Sequence, residues 1–376
     1  MSDPLSTLRA AVASHYSEVA GRRWRELLPA FESWQSLADL SLRLELGPLL
    51  YPLLRDLEGR HVPPGLLQAL RAAHHGSAGA QLLAQAELDY LLPALAAAGV
   101  PVIVLKGAAL AHAIYPQPAW RPMGDVDLLL PFDCLPQARE VLQAAGYGPR
   151  QPPPSPNPEG LFWTQEAWLK PNALPLELHW QLLDIPAYAP RLQVMELLAR
   201  SRPFHLGGQP ASALGLEDQL IHLCAHSLLH HAGGDARSRL DVGFLLARAG
   251  AEIDWPLLRD RAAGARLGLA VRQTLLEAWR DWYAPLPAGV IEAVERLRAT
   301  AGERLYAHSQ RYQLARAGRT FLTLPGWRPR LRFAAYQLWP AADYQAWRYG
   351  LPEGASKRRL ALERVRRGLR RVAGRL

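Results

Sequence analysis

Two aspartates two residues apart, Asp125 and Asp127, open an apolar segment that ends at Leu130. Because successive side chains of a β-strand point to opposite faces, a strand here places both carboxylates on one face and Val126 on the other. Two hard oxygen donors on one face suit Mg²⁺, with Mn²⁺ as the alternative ion. The pattern therefore predicts a strand that carries a metal site.

A second apolar segment, residues 102–105, runs into Lys106-Gly107 and then into an Ala-rich segment. This order predicts a strand followed by a helix over residues 108–115, whose free N–H groups and dipole would face a bound anion. Lys106 adds a positive charge at that point. Gly107 would let the backbone approach phosphate closely, and the alternative is a plain strand-to-helix turn.

Arg121 precedes the two aspartates and is a second candidate for phosphate binding. Its planar guanidinium can bind two phosphate oxygens at once. The alternative is a structural ion pair with Asp125 or Asp127.

Two further β-like segments, residues 161–169 and 174–180, are separated by a turn and predict a hairpin. Glu177 in the second segment is the candidate third carboxylate, since its strand could lie beside the first and set its side chain facing Asp127. His179 shares the face of Glu177. It could orient Glu177, touch a phosphate, or be a packed, hydrogen-bonded histidine.

Three blocks carry a family resemblance: Leu105-Lys106-Gly107, residues 121–129, and Glu177-Leu178-His179-Trp180. Together they resemble the bacterial uncharacterised nucleotidyltransferase family of the DNA polymerase β-like superfamily, over roughly residues 80–250. The resemblance implies an α+β fold with a small, twisted, mixed sheet and flanking helices. It also implies transfer of a nucleoside monophosphate from a nucleoside triphosphate (NTP) to an acceptor, with release of pyrophosphate.

The resemblance assigns roles to individual residues. The catalytic and metal-binding residues would be Asp125, Asp127 and Glu177. The residues that bind nucleotide or phosphate would be Lys106, Gly107, Arg121 and His179.

The positive charge of the chain is concentrated at its C-terminus. The net charge is +9, but residues 357–376 hold nine Lys and Arg against Glu363, which leaves about +1 for the rest. A nearly neutral body favours a small-molecule or protein acceptor over a long polynucleotide. Two alternatives remain: a toxin-type nucleotidyltransferase that acts on tRNA, and a non-catalytic nucleotide-binding scaffold.

The basic C-terminal segment has apolar residues three and four apart, which predicts an amphipathic helix. Its partner could be RNA, an anionic membrane surface or another protein. The alternative is that the apolar stripe packs on the protein's own body. The stripe consists of Leu362, Val365, Leu369, Val372 and Leu376.

At 376 residues the chain exceeds one ordinary domain. We expect a helical cap over residues 1–78, a catalytic core over 79–185, a helical domain over 186–350 and the basic tail over 351–376. Within the core, Asp133 is a candidate cap for a helix from about residue 135 to 145.

Composition and hydropathy bear on the compartment. The chain has only two cysteines, Cys134 and Cys224, without a metal-type spacing, which favours a reducing cytoplasm. The start of the chain lacks an apolar signal core. The longest apolar stretch, residues 91–105, is interrupted by two prolines and is too short to span a membrane.

His222, His226 and His230 lie four residues apart on one predicted helix face. Two histidines so spaced can share a zinc ion, but no glutamate follows His222 as in a His-Glu-x-x-His motif. Core packing or a nucleotide-facing role is the favoured interpretation.

Overall fold

The computed structural model describes residues 3–57, 62, 64–157, 160–230, 235–309 and 313–373. Its strands are β1 (Ile103–Val104), β2 (Val126–Leu129), β3 (Gly148–Pro149), β4 (Gln165–Leu169), β5 (Leu176–His179), β6 (Arg202–Leu206) and β7 (Gln209–Ala213).

Helices make up most of the remaining structure. The N-terminal helices are α1 (Pro4–Ala13), α2 (Glu18–Leu27), α3 (Trp34–Arg43), α4 (Gly47–Arg55) and α5 (Pro64–Ala97). Those in and just after the sheet region are α6 (Lys106–Ala113), α7 (Leu135–Ala144) and α8 (Val194–Ala199). The C-terminal helices are α9 (Leu216–His230), α10 (Ala236–Ala249), α11 (Trp255–Gly264), α12 (Gly268–Trp282), α13 (Ala288–Glu295), α14 (Ala301–Ser309), α15 (Gln313–Thr323), α16 (Trp327–Leu338), α17 (Ala342–Tyr349) and α18 (Lys357–Ala373).

The main sheet has the strand order β1-β2-β5-β4-β3. Strands β2 and β5 are parallel, and the other neighbouring pairs are antiparallel. The parallel pairing sets Asp127 opposite Glu177 and Leu129 opposite His179. The expected hairpin of two β-like segments is confirmed as β4 and β5. The α+β fold with a small mixed sheet is therefore confirmed.

The two faces of the sheet pack against different parts of the chain. Val126 and Leu128 face a core that includes α5 and α7, whereas Leu129 belongs to the core built around α9, α10 and α12. Because side chains alternate along a strand, Asp127 shares the face of Leu129. The carboxylates of the sheet are therefore directed toward the helical C-terminal region.

Helix α5 runs without interruption from Pro64 to Ala97, and so crosses the expected boundary between residues 78 and 79. The segment around residue 205, expected to be helical, instead forms the hairpin of β6 and β7. Its turn needs Gly207, which has φ +59° and whose added Cβ would lie 2.3 Å from Gln85 on α5. The hairpin was missed because Pro203 and Pro210 obscure its alternation.

Local boundaries also differ from expectation. Helix α6 begins at Lys106 rather than Ala108, so Lys106 and Gly107 form its first turn. The expected cap role of Asp133 is wrong, because Asp133 lies in a 3₁₀ turn and α7 follows Cys134 without a side-chain cap. Within the part of the chain that the structure describes, no helix combines the length and apolar character needed to cross a membrane.

The basic tail forms α18, as expected. Leu360 is buried, but Leu362 and Val365 of the predicted stripe are exposed. For these two residues the alternative of packing on the protein's own body is wrong. The side chains of the other stripe residues, Leu369, Val372 and Leu376, lie outside the described part.

Candidate metal centre

Three side chains from the parallel strand pair converge on one face of the sheet. Each of Asp127, Glu177 and His179 offers one ligand atom. These three atoms all lie within 4.8 Å of one another. His179 Nε2 lies 2.8 Å from Asp127 Oδ1 and 3.5 Å from Glu177 Oε2. Of the described residues, no other group of three or more His, Cys, Asp or Glu is placed to hold a metal ion.

Lys106 lies against this group, where β1 leads into α6. Its Nζ is 3.5 Å from Asp127 Oδ2, and the N–H of the preceding Leu105 donates to the carbonyl of Asp127 at 2.9 Å. Lys106 has φ +41°, a region that non-glycine residues rarely occupy. No side chain caps the N-terminus of α6. The strained turn thus brings a cation and uncapped N–H groups to the carboxylates.

The charges in the group shift the pKa values of its members. Burial alone would raise the pKa of Asp127, but the positive charge of Lys106 and the hydrogen bond to His179 hold it below its ordinary value. Burial lowers the pKa of His179, yet its hydrogen bonds to Asp127 and Glu177 outweigh burial and raise it. Both shifts favour the charged pair, a carboxylate next to an imidazolium.

Asp125 precedes β2 and lies at the edge of the group rather than inside it. Its pKa is raised, first by desolvation and then by the negative charges of Asp127 and Glu177. Excess negative charge at this point favours a cation between the carboxylates.

Asp125 also lines a cleft of about 470 Å³ bounded by α4, α5, the loop of residues 122–125 and Arg237. The α5 wall consists of small residues, including Gly76 and Ser77. The Ser77 hydroxyl is buried without a hydrogen-bond partner in the described structure. A cleft of this volume is large enough for a small molecule.

The structural alternative expected Arg121 to form an ion pair with Asp125 or Asp127. Arg121 pairs with neither of them. Its Nε and Nη2 donate to the two carboxylate oxygens of Asp241 at 2.8 and 3.0 Å, and Nη1 donates to the carbonyl of Pro122. Tyr115 donates to the same carboxylate at 2.7 Å. This buried ion pair ties the loop before Asp125 to α10.

Gly107 lies in the first turn of α6, where a Cβ would come within 3.0 Å of Met123 Cβ. Its small size lets the helix pack against the loop that leads to Asp125. The positive φ of the turn belongs to Lys106 instead.

The three histidines of α9 begin with His222, which lies beside the group of Asp127, Glu177 and His179. His222 is 1% exposed, and neither ring nitrogen has a hydrogen-bond partner in the described part. Burial, and then the charge of Lys106, lower its pKa well below the ordinary value, so the ring is neutral. The rings of His226 and His230 stack at 4.8 Å. The group of metal-ligating atoms found among the described residues does not include these three.

Two residues that hold side chains of the site by hydrogen bonds were not predicted from the sequence. Gln165 on β4 donates to Glu177 Oε2 at 2.5 Å, and Asp241 on α10 holds Arg121. The hairpin prediction could have found Gln165, which pairs with His179 across β4 and β5. No local pattern identifies Asp241, because it lies 120 residues from Arg121.

The donor set fits a divalent cation. Asp127 and Glu177 offer carboxylate oxygens, the ligands of Mg²⁺ and Mn²⁺, and Asp125 adds negative charge at the edge. The group can thus hold a hard cation next to a cationic lysine and a helix N-terminus.

Comparison with known proteins gives one family match. The family described as "Uncharacterised nucleotidyltransferase" matches residues 31–280, two thirds of the chain. This match reaches further into the N-terminal helices than the resemblance of the three blocks. No curated protein matches the chain.

Proposed function

The chain belongs to the uncharacterised nucleotidyltransferase family, and we propose that it transfers a nucleoside monophosphate from a metal-bound NTP to an acceptor, releasing pyrophosphate. The observation that carries the proposal is the convergence of Asp127, Glu177 and His179 on one face of the sheet. A nucleotide-transferring site needs carboxylates for metal and cations for phosphate, and both occur here.

In this proposal Asp127, Glu177 and Asp125 hold Mg²⁺ or Mn²⁺. When bound, the ion would offset negative charge on the triphosphate and on the attacking and leaving oxygens. His179 holds the Asp127 carboxylate in place through its 2.8 Å hydrogen bond, and Gln165 does the same for Glu177.

Lys106 and the N-terminus of α6 bind phosphate oxygens in this proposal. The lysine cation and the uncapped N–H groups stand together beside Asp127, so they would attract the triphosphate to the metal-binding face. Gly107 allows this helix to approach the loop before Asp125. Arg121 would have to leave Asp241 to reach phosphate, and we therefore assign it to positioning that loop.

The reaction joins an acceptor oxygen to the α-phosphorus while the bond from that phosphorus to the pyrophosphate oxygen breaks. The proton of the acceptor hydroxyl passes to Glu177 or to solvent. Pyrophosphate takes up the electron pair of the broken bond and leaves.

We assign the cleft beside Asp125 to the nucleoside part of the NTP. The cleft opens next to Asp125, at the edge of the group of Asp127, Glu177 and His179, and its small-residue α5 wall leaves room for a flat ring system. Ser77 offers an unused hydroxyl to a base or ribose, and the ion pair of Arg237 with Glu45, 2.6 Å apart, also lines the cleft.

For the acceptor we propose a small molecule or a protein side chain, because positive charge outside the C-terminal region is too sparse to hold a long polynucleotide. Action on tRNA is the alternative acceptor. The free cysteines Cys134 and Cys224 accord with a reducing compartment such as the cytoplasm.

The test is transfer of label from each α-labelled NTP, with Mg²⁺ or Mn²⁺, into fractions of a cell extract. Wild type is compared with Asp127→Asn and with Asp260→Asn, which changes an aspartate that is 68% exposed on α11. We expect labelling with wild type and with Asp260→Asn, and a loss of at least about a hundredfold with Asp127→Asn. Binding of metal–NTP by wild type without any labelling would instead support a non-catalytic nucleotide-binding scaffold, and absence of both would contradict the proposal.

A further inference from the structure

The positive charge of the chain is concentrated in its C-terminal region. Residues 327–376 carry thirteen Lys and Arg against three acidic residues, a net +10, so the remainder carries about −1. Such a distribution directs an anionic partner to one end of the molecule.

Helix α16 presents an apolar stripe to solvent in this region. Trp327, Leu331 and Leu338 are four and seven residues apart, so they lie on one face of the helix. All three are exposed, and the neighbouring Trp339 is exposed as well. The opposite face buries Phe333, whose ring centre lies 6.0 Å from that of Phe162.

Helix α18 likewise buries an apolar residue on one side and exposes apolar residues on the other. Leu360 is buried, whereas Leu362 and Val365, on the other side of the helix, are exposed. Arg367 fastens the helix by donating to the carbonyl of Tyr349 at 2.8 Å. The helix thus docks through its buried leucine and an arginine, and leaves Leu362 and Val365 in water.

The exposed residues of α16 and α18 lie near one another. Arg364, between Leu362 and Val365 in the chain, donates to the carbonyls of Gln337 and Leu338 at the end of α16. Its guanidinium also lies 5.7 Å from the ring centre of Trp339. The resulting surface, called here the cationic apolar face, consists of Trp327, Leu331, Leu338, Trp339, Leu362 and Val365 with the surrounding arginines.

We propose that the cationic apolar face binds the surface of an anionic lipid bilayer. The arginines would contact lipid phosphates, and the leucines and valine would enter the boundary between headgroups and acyl chains. Tryptophan is favoured at that boundary because its ring is apolar with one polar N–H group. Arginine side chains can extend from a partly inserted helix to the headgroups.

The exposed aliphatic residues favour a bilayer over RNA. Contact with RNA phosphates uses the cations and leaves Leu331, Leu338 and Leu362 in water. A bilayer uses both features at once, because burying apolar surface is favourable in addition to the charge attraction. The proposal concerns peripheral binding and does not depend on the proposed nucleotidyl transfer.

Sedimentation of the full-length protein with vesicles tests the proposal. One set of vesicles contains phosphatidylcholine alone, and the other contains about 30% phosphatidylserine. We expect strong binding to the second set only, weakened but not abolished by about 0.5 M salt, since apolar contacts are not screened. A fluorescent RNA oligonucleotide is the competing probe.

Leu331→Gln/Leu338→Gln removes apolar surface without changing charge. These leucines are 59% and 68% exposed, so the fold should be unaffected, which circular dichroism checks. We expect at least about tenfold weaker binding to anionic vesicles. The matched control is Leu82→Gln/Leu83→Gln, two exposed leucines of α5 outside the face, and it should bind as wild type does.

Replacing Lys357, Arg358 and Arg359 together with glutamine removes three positive charges from the same region. We expect at least about tenfold weaker binding here as well. The control replaces three exposed arginines of α2, Arg22, Arg23 and Arg25, which carry the same charge elsewhere. Wild-type binding by the leucine variant, equal binding to both vesicle sets, or binding of RNA without binding of vesicles would overturn the proposal.

Discussion

Glu177 lies directly opposite Asp127 in the parallel pair of β2 and β5. Their carboxylates therefore share one face, where His179 and Lys106 balance part of the negative charge. Asp125 lies at the edge, and its pKa is raised by desolvation and by the two neighbouring carboxylates. The arrangement holds more negative charge than its own cations satisfy, which is why we expect it to bind a divalent ion.

Binding of Mn²⁺ or Mg²⁺ should stabilise the folded protein. At an ion concentration one hundred times the Kd, the free energy of unfolding should rise by about 2.7 kcal/mol. Glu177→Gln should remove most of this gain, because an amide is a weaker ligand than a carboxylate. Glu292→Gln, in an exposed pair on α13, is the control. Urea unfolding with and without the ion measures the gain, and an equal gain in both variants would place the metal elsewhere.

The pair of His179 and Asp127 should make stability depend on pH. His179 has a raised pKa, so its contribution is complete below its ordinary value of 6.5 and is lost as pH rises through the folded-state value. Asp127 has a lowered pKa, so its contribution is complete above its ordinary 3.8 and is lost as pH falls. Both contributions to stability are thus present at about pH 5–6.

Replacement of His179 isolates its share of this dependence. His179→Gln should lose about 1.5–3 kcal/mol of stability near pH 6, the value of a charge-assisted hydrogen bond. The loss should shrink as pH rises. Urea unfolding in EDTA at pH 6 and pH 9 measures it, with His205→Gln, an exposed histidine of β6, as the control. A loss that is constant with pH would contradict the imidazolium assignment.

Arg121 should matter for stability more than for phosphate binding. Arg121→Gln leaves the buried Asp241 carboxylate without its ion pair and should cost about 3–5 kcal/mol. Arg280→Gln breaks an exposed pair with Glu295 and should cost no more than about 1 kcal/mol. Chemical unfolding measures both. A stable Arg121→Gln protein with a much higher KM for NTP would instead restore the phosphate-binding prediction.

Filling the cleft beside Asp125 should weaken nucleotide binding. Gly76 lines the cleft, and a Cβ there meets nothing within 4 Å, so the side chain of Gly76→Leu begins in open space. The KM for NTP should rise by at least about tenfold while kcat changes less. Gly79→Leu is the control, because Gly79 lies on the same helix with equal space and is not part of the cleft lining. Steady-state kinetics of both variants decide whether the nucleoside occupies the cleft.

The candidate site was largely predictable because its parts follow local periodicity. An apolar strand after Asp125 and a hairpin carrying Glu177 and His179 both depend on the alternation of a strand, which neighbouring residues determine. The order of strand, Lys106 and helix is local in the same way. The strained φ of Lys106 was not predictable, since a positive φ at a non-glycine residue is held by the surrounding tertiary structure rather than by the local sequence.

The sequence by itself determined which side chains share a face of each strand, the carboxylate donors of the candidate metal site and the amphipathic character of the tail helix. Only the tertiary structure decided that Asp127 stands opposite Glu177, that Arg121 pairs with Asp241, and that Leu362 and Val365 of α18 face solvent. The physical reason is the distance along the chain between the residues that interact. Alternation and helical periodicity arise between neighbouring residues, whereas strand register, ion-pair choice and the buried face of a helix depend on contacts between distant segments.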